Sequence, residues 1–424
     1  MESQYLRGVR WLEPQQDQDC QIDLWLQDGQ IQALNPDPAL IPAHLAPLNG
    51  EHLILAPGLV DLYSTSGEPG HEDRETLSQL AAAAITGGFT QLVLLPQGQP
   101  VSDNPAVLSL RRQKLLALAP QSLPHVHFWG SLTQDARGEQ LAELADLVEA
   151  GVVGFSDGQA LMNSSLIRRA LEYLAPYKKT LALVPVNLAL RGNGVAREGA
   201  ISLALGLPGE PAMAETTAIS ALIEIMADLP TPVHLMRVST QRGVALIAQA
   251  QARGLPLTAS VAWMHILLDS QALYRYDPNL HLDPPLGNPE DRLALIQGLK
   301  DGTIAAIAVD HQAYTYEEKT LAFAESPAGA IGLEFALPCL WQGLVETGHL
   351  TALELWRALS LNPLRCLGLN PVFSDWLLFN PQQSWPVNSQ TLKTQARNTP
   401  WWGQTITGRV EQVLSWATTA NPGL

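Results

Sequence analysis

The chain has 424 residues, 46% of them hydrophobic and 16% charged, with a formal net charge of −16; this supports a large core and two or three domains. The acidic balance, without any basic run, excludes a nucleic-acid-binding face and attraction to anionic lipid, and no stretch is long and apolar enough to span a bilayer. Three scattered cysteines, Cys20, Cys339 and Cys366, make neither a disulfide framework nor a thiolate metal site, and with no apolar signal core in Met1–Arg10 a cytoplasmic location is expected.

In chain order, the first elements are strands. Residues 21–26 and 30–34 alternate apolar and polar side chains around Asp28-Gly29, a strong hairpin signal. Residues 52–60 read as one buried apolar strand leading to Asp61. From there short apolar runs alternate with amphipathic helices. Strands are expected at 91–95, 125–129, 152–155, 181–186, 232–238, 257–261 and 304–309, and helices at 76–86, 139–150, 165–174 and 214–227. Strand–helix alternation over this length favours a closed (β/α)8 barrel, an α/β fold of the TIM type. Asp61, Asp157 and Asp310 fall near strand ends, on the face where barrel active sites sit. The tail, 375–417, returns to strand-like runs and is expected to join the N-terminal strands in one small β-sandwich. The expected division is residues 1–56 and 369–424 for the sandwich and 57–368 for the barrel.

Several motifs then become specific. Pro57-Gly58-Leu59-Val60-Asp61 followed by Glu68-Pro69-Gly70, "GFSDG" at 154–158, "DPPLGNPEDR" from Asp283, "VDHQAY" from Val309 and "ARNTPWWGQTITGRV" at 396–410 resemble type I dihydroorotases, in family order and over nearly the whole chain. The resemblance implies a metal-dependent amidohydrolase barrel flanked by a β-sandwich. It also implies a role around the reversible cyclisation of carbamoyl aspartate in pyrimidine synthesis.

It further implies where the site should lie, and there the chain departs from the family. The family's His-x-His after the first strand reads Tyr63 and Thr65, and two later histidine positions read Val184 and Arg237. Zinc prefers neutral imidazole and carboxylate donors. A guanidinium stays protonated and has no lone pair to give. It would repel a nearby dication by about 2 kcal/mol or more. Asp157 and Asp310 remain as carboxylates, with Asp310 the retained catalytic position, so no metal is expected; zinc is implied only if the chain is an active enzyme. The substrate shell also differs. Gly67 stands for an arginine that grips a substrate carboxylate, Gln97 for an asparagine, Gly287 for the arginine of "PPLR" and Tyr314 for a histidine. Gln97, His265 and His311 are the remaining candidates for substrate contact.

Two sharper possibilities come from the residues. His125-x-His127 on a strand could form a relocated metal site, but with no matching third ligand evident two packed or capped histidines are the favoured reading. Arg237 and Asp310 could form an ion pair where metal would otherwise sit, because an unpaired buried carboxylate is costly.

Three functions stay open at this point. One is a non-catalytic dihydroorotase homologue acting as a scaffold, with aspartate transcarbamoylase the first partner to test. Another is an active dihydroorotase or other cyclic-amide hydrolase with a remodelled site. The third is a sensor holding a small molecule in the barrel mouth. A homo-oligomer is compatible with each.

Overall fold

The computed structural model describes residues 3–118, 123–160 and 163–417. The chain begins with β1 (Ser3–Glu13), β2 (Gln18–Gln27), β3 (Gln30–Leu34), β4 (Pro47–Asn49) and β5 (Ile54–Pro57). The hairpin between β2 and β3 turns where expected. Asp28 and Gly29 both take positive φ, 54° and 75°, which a two-residue turn of the primed type requires.

The run 52–60 is not one strand. It breaks at Gly58, where a Cβ would lie 2.1 Å from Thr90 Oγ1, and the amide of Gly58 donates to the carbonyl of Asp375. Before the break the chain belongs to the terminal sheet; after it the chain enters the barrel as β6 (Leu59–Ser64). The barrel continues with β7 (Phe89–Leu94), β8 (His125–Gly130), β9 (Gly154–Phe155) and β10 (Thr180–Leu183). A short ribbon, β11 (Ala196–Arg197) and β12 (Gly209–Glu210), interrupts the series. β13 (Val233–Leu235), β14 (Leu257–Ala262) and β15 (Ala306–Ala308) complete it.

The eight barrel strands pair in sequence order from β6 to β15, each described register being parallel. Leu62, Tyr63, Val93, Trp129, Ala182 and Met236, from four of the strands and the residue after β13, share one buried cluster. A larger cluster joins the outer strand faces to the helices. Those helices are amphipathic and capped in the usual way. Leu77–Thr86 carries a Thr76–Gln79 capping box, and Ser164–Leu174 begins on the Asn163 side chain.

Side chains bridge the seam between the first and last strands. Asp61 accepts from the amide of Val309 at 2.6 Å and from the hydroxyl of Ser64. Ser64 accepts from the amide of His311 at 3.3 Å, and the amide of Thr65 donates to the carbonyl of His311. Fully enclosed there, the carboxyl of Asp61 is pushed up to about 7 by burial, against the pull of its two donors.

The helix expected at 139–150 is shorter, Leu144–Glu149. Residues before it are drawn into pairing with the loop after β8: Gln134 donates to the carbonyl of Gln140, and Ala142 to that of Leu132. Tertiary pairing overrides local helix propensity at these positions.

The tail supplies β16 (Asp375–Pro386) and β17 (Thr405–Trp416). β16 pairs with β5 and β17 with β3, so both ends of the chain build one seven-stranded sheet. A further pairing of β1 with β2 rolls it on itself. Val9, Leu24, Ile31, Leu55, Trp376 and Leu414 lie in its core. Among the described residues, no helix is long and apolar enough to cross a membrane.

Candidate functional site in the barrel mouth

Arg237 and Asp310 meet beyond the ends of β13 and β15. Nε of Arg237 donates to Oδ2 of Asp310 and Nη2 to Oδ1, both at 2.7 Å, and Nη1 donates to the carbonyl of Gly158 at 2.9 Å. Two parallel charge-assisted bonds of this length are the strongest arrangement an arginine and a carboxylate adopt. The side chains are 4% and 12% exposed. Burial alone would lower the guanidinium's pKa; the Asp310 carboxylate beside it holds it above the ordinary arginine value instead. Both residues sit in left-handed backbone, φ 55° and 54°, a conformation that persists for side-chain-bearing residues only where the surroundings enforce it. The ion pair expected from the sequence is therefore present.

Tyr63 occupies the position beneath it. Its hydroxyl accepts from the amide of Arg237 at 3.1 Å and shares a 3.0 Å hydrogen bond with Ser260. Ser260 in turn bonds Nε2 of His234, whose Nδ1 bonds Thr258. The guanidinium lies 5.5 Å from the Tyr63 ring centroid. Burial drives the phenol's pKa upward, so at neutral pH it is a neutral hydrogen-bonding group. Thr65 directs its hydroxyl to the carbonyl of His311. Val184 is buried in the same cluster as Tyr63.

Asp157 belongs to a different arrangement. Its carboxylate accepts from the amides of Leu132 and Thr133 at 2.8 and 3.0 Å and from the hydroxyls of Ser131 and Thr133 at 3.0 and 2.6 Å. It clamps the loop after β8, and burial still raises its pKa above the ordinary range. The structure thus does not bring Asp157 and Asp310 together as a carboxylate pair.

His311 is turned inward. Its Nε2 donates to Glu75 at 3.1 Å, while Nδ1 accepts from the amide of Gly332 at 3.2 Å. His265 is buried with Nε2 on the carbonyl of Pro284 at 2.9 Å, and burial brings its pKa down to about 4. Neither histidine lines the open cleft. The His125/His127 pair sits at the opposite, starting end of β8. His125 reaches Asp375 at 3.8 Å and His127 contacts Gln91 at 3.3 Å.

Among the described residues, no group of three or more His, Cys, Asp or Glu side chains is placed to hold a metal ion. Both oxygens of Asp310 are engaged by a cation of the chain itself, and all the donors around Asp157 are protein groups. These residues do not fit a hydrolytic zinc site.

The open part of the mouth is a cleft of about 220 Å³, and its lining includes Gln97, Gln99, Gln312, Tyr314, Arg74 and His71. Gln97 makes a long 3.5 Å contact with the carbonyl of Gly158. Gln312 donates to Asp310 at 3.2 Å, and its amide oxygen accepts from Tyr314. The loop between β16 and β17 reaches back to hold this rim: Asn398 donates to the carbonyl of Gln312 at 2.8 Å and accepts from the amide of Tyr314. Gln99, Gln312, Arg74 and Glu75 escaped the sequence reading. Gln312 stood inside the quoted "VDHQAY", and its place beside Asp310 was the available signal.

Gly67, also in the lining, has no room for a side chain. A Cβ there would lie 2.5 Å from the carbonyl oxygens of both Glu75 and His71. At Gly287 a Cβ would lie 2.6 Å from that of Asp291 and 3.0 Å from the carbonyl of Ser239.

A family model described as dihydro-orotase-like matches residues 52–239. A Synechocystis protein named "probable dihydroorotase-like protein" is 51% identical, covering 97% of this chain and 99% of its own. The dihydroorotase of Syntrophus aciditrophicus is 35% identical over 96% of this chain and 97% of its own, and that of Pelotomaculum thermopropionicum 37% over 93% and 92%. Among solved structures, the L-hydantoinase of Arthrobacter aurescens superimposes with a TM-score of 0.81 at 19% identity, covering 98% of this chain and 96% of its own. That likeness establishes the fold. With identity of this degree along nearly its whole length, the chain belongs to the dihydroorotase family of the cyclic amidohydrolase superfamily.

Proposed function

We propose that this protein is a non-catalytic dihydroorotase homologue serving pyrimidine biosynthesis. The observation that carries the reading is the guanidinium of Arg237 chelating Asp310. Hydrolysis by this barrel type needs a water made nucleophilic near neutral pH, and the reverse cyclisation needs a carboxylate polarised so that the ureido nitrogen can attack it and water can leave; zinc held by imidazoles and a carboxylate would supply both. Here Tyr63, Thr65, Val184 and Arg237 fill the imidazole positions of the resemblance, and Asp310 is already neutralised. His311, the remaining acid–base candidate nearby, is committed to Glu75 and Gly332.

A non-catalytic chain that keeps the whole fold is suited to a scaffold role. Aspartate transcarbamoylase, handling the preceding intermediate, is the partner we propose, on the resemblance alone. A cytoplasmic location goes with this reading.

The test is direct. The protein is purified after growth with added zinc, its metal content is measured, and carbamoyl aspartate cyclisation is assayed with zinc present. The expected result is substoichiometric zinc, no turnover above buffer, and co-elution with the transcarbamoylase of the same cell. Stoichiometric zinc with turnover overturns the proposal and makes the chain an active cyclic-amide hydrolase. Absence of co-elution removes the partner and leaves the non-catalytic reading.

A further inference from the structure

We infer that the mouth cleft is a binding site for an uncharged, hydrogen-bonding small molecule and discriminates against carboxylates. The inference rests on the non-catalytic reading and deepens it by giving the remaining pocket a ligand class.

Charge supplies the first argument. Arg74 is the guanidinium in the lining, and it is spent on Glu318, with Nε–Oε2 at 3.1 Å and Nη2–Oε1 at 2.5 Å. Arg237 behind the cleft is spent on Asp310. Arg191, farther along the mouth, is paired with Asp283 at 2.6 Å and Glu210 at 2.9 Å. A carboxylate entering the cleft would leave its hydration without meeting an unpaired cation among these, and burying an unpaired charge is strongly unfavourable. The bordering segment, Glu68 to Glu75, carries four acidic residues against one arginine, and it repels an approaching anion.

Space supplies the second argument. Gly67 and Gly287, the positions where the family resemblance puts arginines, are closed against any side chain by backbone and by Asp291. The lack of a carboxylate grip is thus built into the packing of the loops.

The groups that remain define what would bind. Gln97 and Gln99 offer amide donors and acceptors; Gln312, already bonded to Asp310 and Tyr314, keeps one amide hydrogen and one oxygen lone pair, and the Tyr314 hydroxyl, donating to Gln312 and the carbonyl of Ala328, keeps acceptor capacity. Burial raises the Tyr314 pKa, so it stays neutral. An amide presents one acceptor oxygen and two donor hydrogens, which complements a ligand whose edge alternates C=O and N–H. Cyclic amides and ureides without an acid group have that edge.

A matched pair of probes isolates the carboxylate. Dihydrouracil and dihydroorotate share the ring and differ by one carboxylate. Each is titrated into the full-length protein, without added metal, by thermal shift and by isothermal calorimetry, and the dihydroorotate sample is checked for conversion with zinc. Dihydrouracil is expected to raise the melting temperature by about 1–3 °C at roughly tenfold excess over its Kd, with dihydroorotate binding at least about tenfold more weakly. Gln97→Ala should weaken dihydrouracil. Gln97→Arg should reverse the preference, and this variant keeps the test sharp if the alanine change merely loosens the loop. Dihydroorotate binding as tightly as dihydrouracil, or no binding of either probe, overturns this inference alone. Zinc-dependent conversion of dihydroorotate overturns the non-catalytic reading on which it rests.

Discussion

Replacing Arg237 by methionine should destabilise the barrel sharply, and replacing its partner as well should restore most of the loss. Arg237→Met keeps the stem's bulk but removes two 2.7 Å charge-assisted bonds to Asp310 and one bond to the carbonyl of Gly158. Breaking a buried pair from one side typically loses about 3–5 kcal/mol, chiefly because the remaining charge is stranded. Asp310 keeps one donor, Gln312 at 3.2 Å, and its side chain is 12% exposed, so about 3 kcal/mol is expected. In Arg237→Met/Asp310→Asn nothing charged is left, and the loss should shrink to about 1 kcal/mol, since neutral replacements of buried pairs are often tolerated. The coupling energy from the double-mutant cycle is then about 2 kcal/mol or more. Urea unfolding followed by fluorescence of the 11 tryptophans gives the four stabilities. Additive single effects, with a coupling below about 0.5 kcal/mol, would refute the claim that this pair neutralises the site.

Further expectations follow from other residues. Asp157→Asn should lower stability by about 2–3 kcal/mol, because the carboxylate accepts four hydrogen bonds and an amide nitrogen turned toward the same donors cannot; zinc content should not change, and a coupled loss of bound zinc would contradict its role as a loop clamp. Gly67→Ala should lower stability by about 1–3 kcal/mol, since the new methyl meets two carbonyl oxygens at 2.5 Å; a melting curve identical to that of the parent would show that the loop yields freely. His234 and His265 have folded pKa values of about 3 and about 4, against an ordinary 6.5. Their unfolded rings take up protons below about pH 6.5 while the folded rings do not, so each removes up to about 1.4 kcal/mol of stability per pH unit as pH falls toward 4. Asp61 and Glu334, raised to about 7, act oppositely, removing stability as pH rises from about 4 to 7, the window in which the unfolded carboxyls ionise first. His234→Asn should therefore gain stability relative to the parent on acidification from pH 6.5 to 4. A difference between the two that stays constant with pH would contradict a neutral buried His234.

The barrel could be read from the alternation of apolar runs with helical stripes, because each strand is buried on both faces and each helix on one. Asp28-Gly29 could be read because few other residue pairs tolerate two positive φ values in succession. The break at Gly58 could not. It depends on Thr90, 32 positions later, pressing on the Cβ site, and nothing in the local sequence carries that contact. The same limit shortened the helix expected at 139–150, whose opening residues pair with the loop that holds Asp157.

For the site, the Arg237–Asp310 pairing was legible because two opposite charges at neighbouring positions of one barrel mouth have strong reason to meet. Asp157 was misplaced in role. Its spacing in "GFSDG" resembles a metal carboxylate, whereas its function is set by backbone amides, which carry no identity in a sequence. Asp61 is similar: its value lies in the amide of Val309 across the seam. The three glutamines of the cleft come from two separate loops, and only the closed barrel brings them together.

Asn398 has a consequence for how the molecule could be cut or recombined. It lies between the two C-terminal strands of the terminal sheet, yet its side chain fastens both Gln312 and Tyr314 at the rim of the mouth. The sheet is therefore not a detachable mount for the barrel. A hybrid joining this barrel to the terminal strands of a relative would inherit a foreign brace for its pocket, and truncation before Asp375 would unfasten the rim as well as one sheet. The tail sequence belongs to the unit that shapes the cleft although no residue within β16 or β17 lines it.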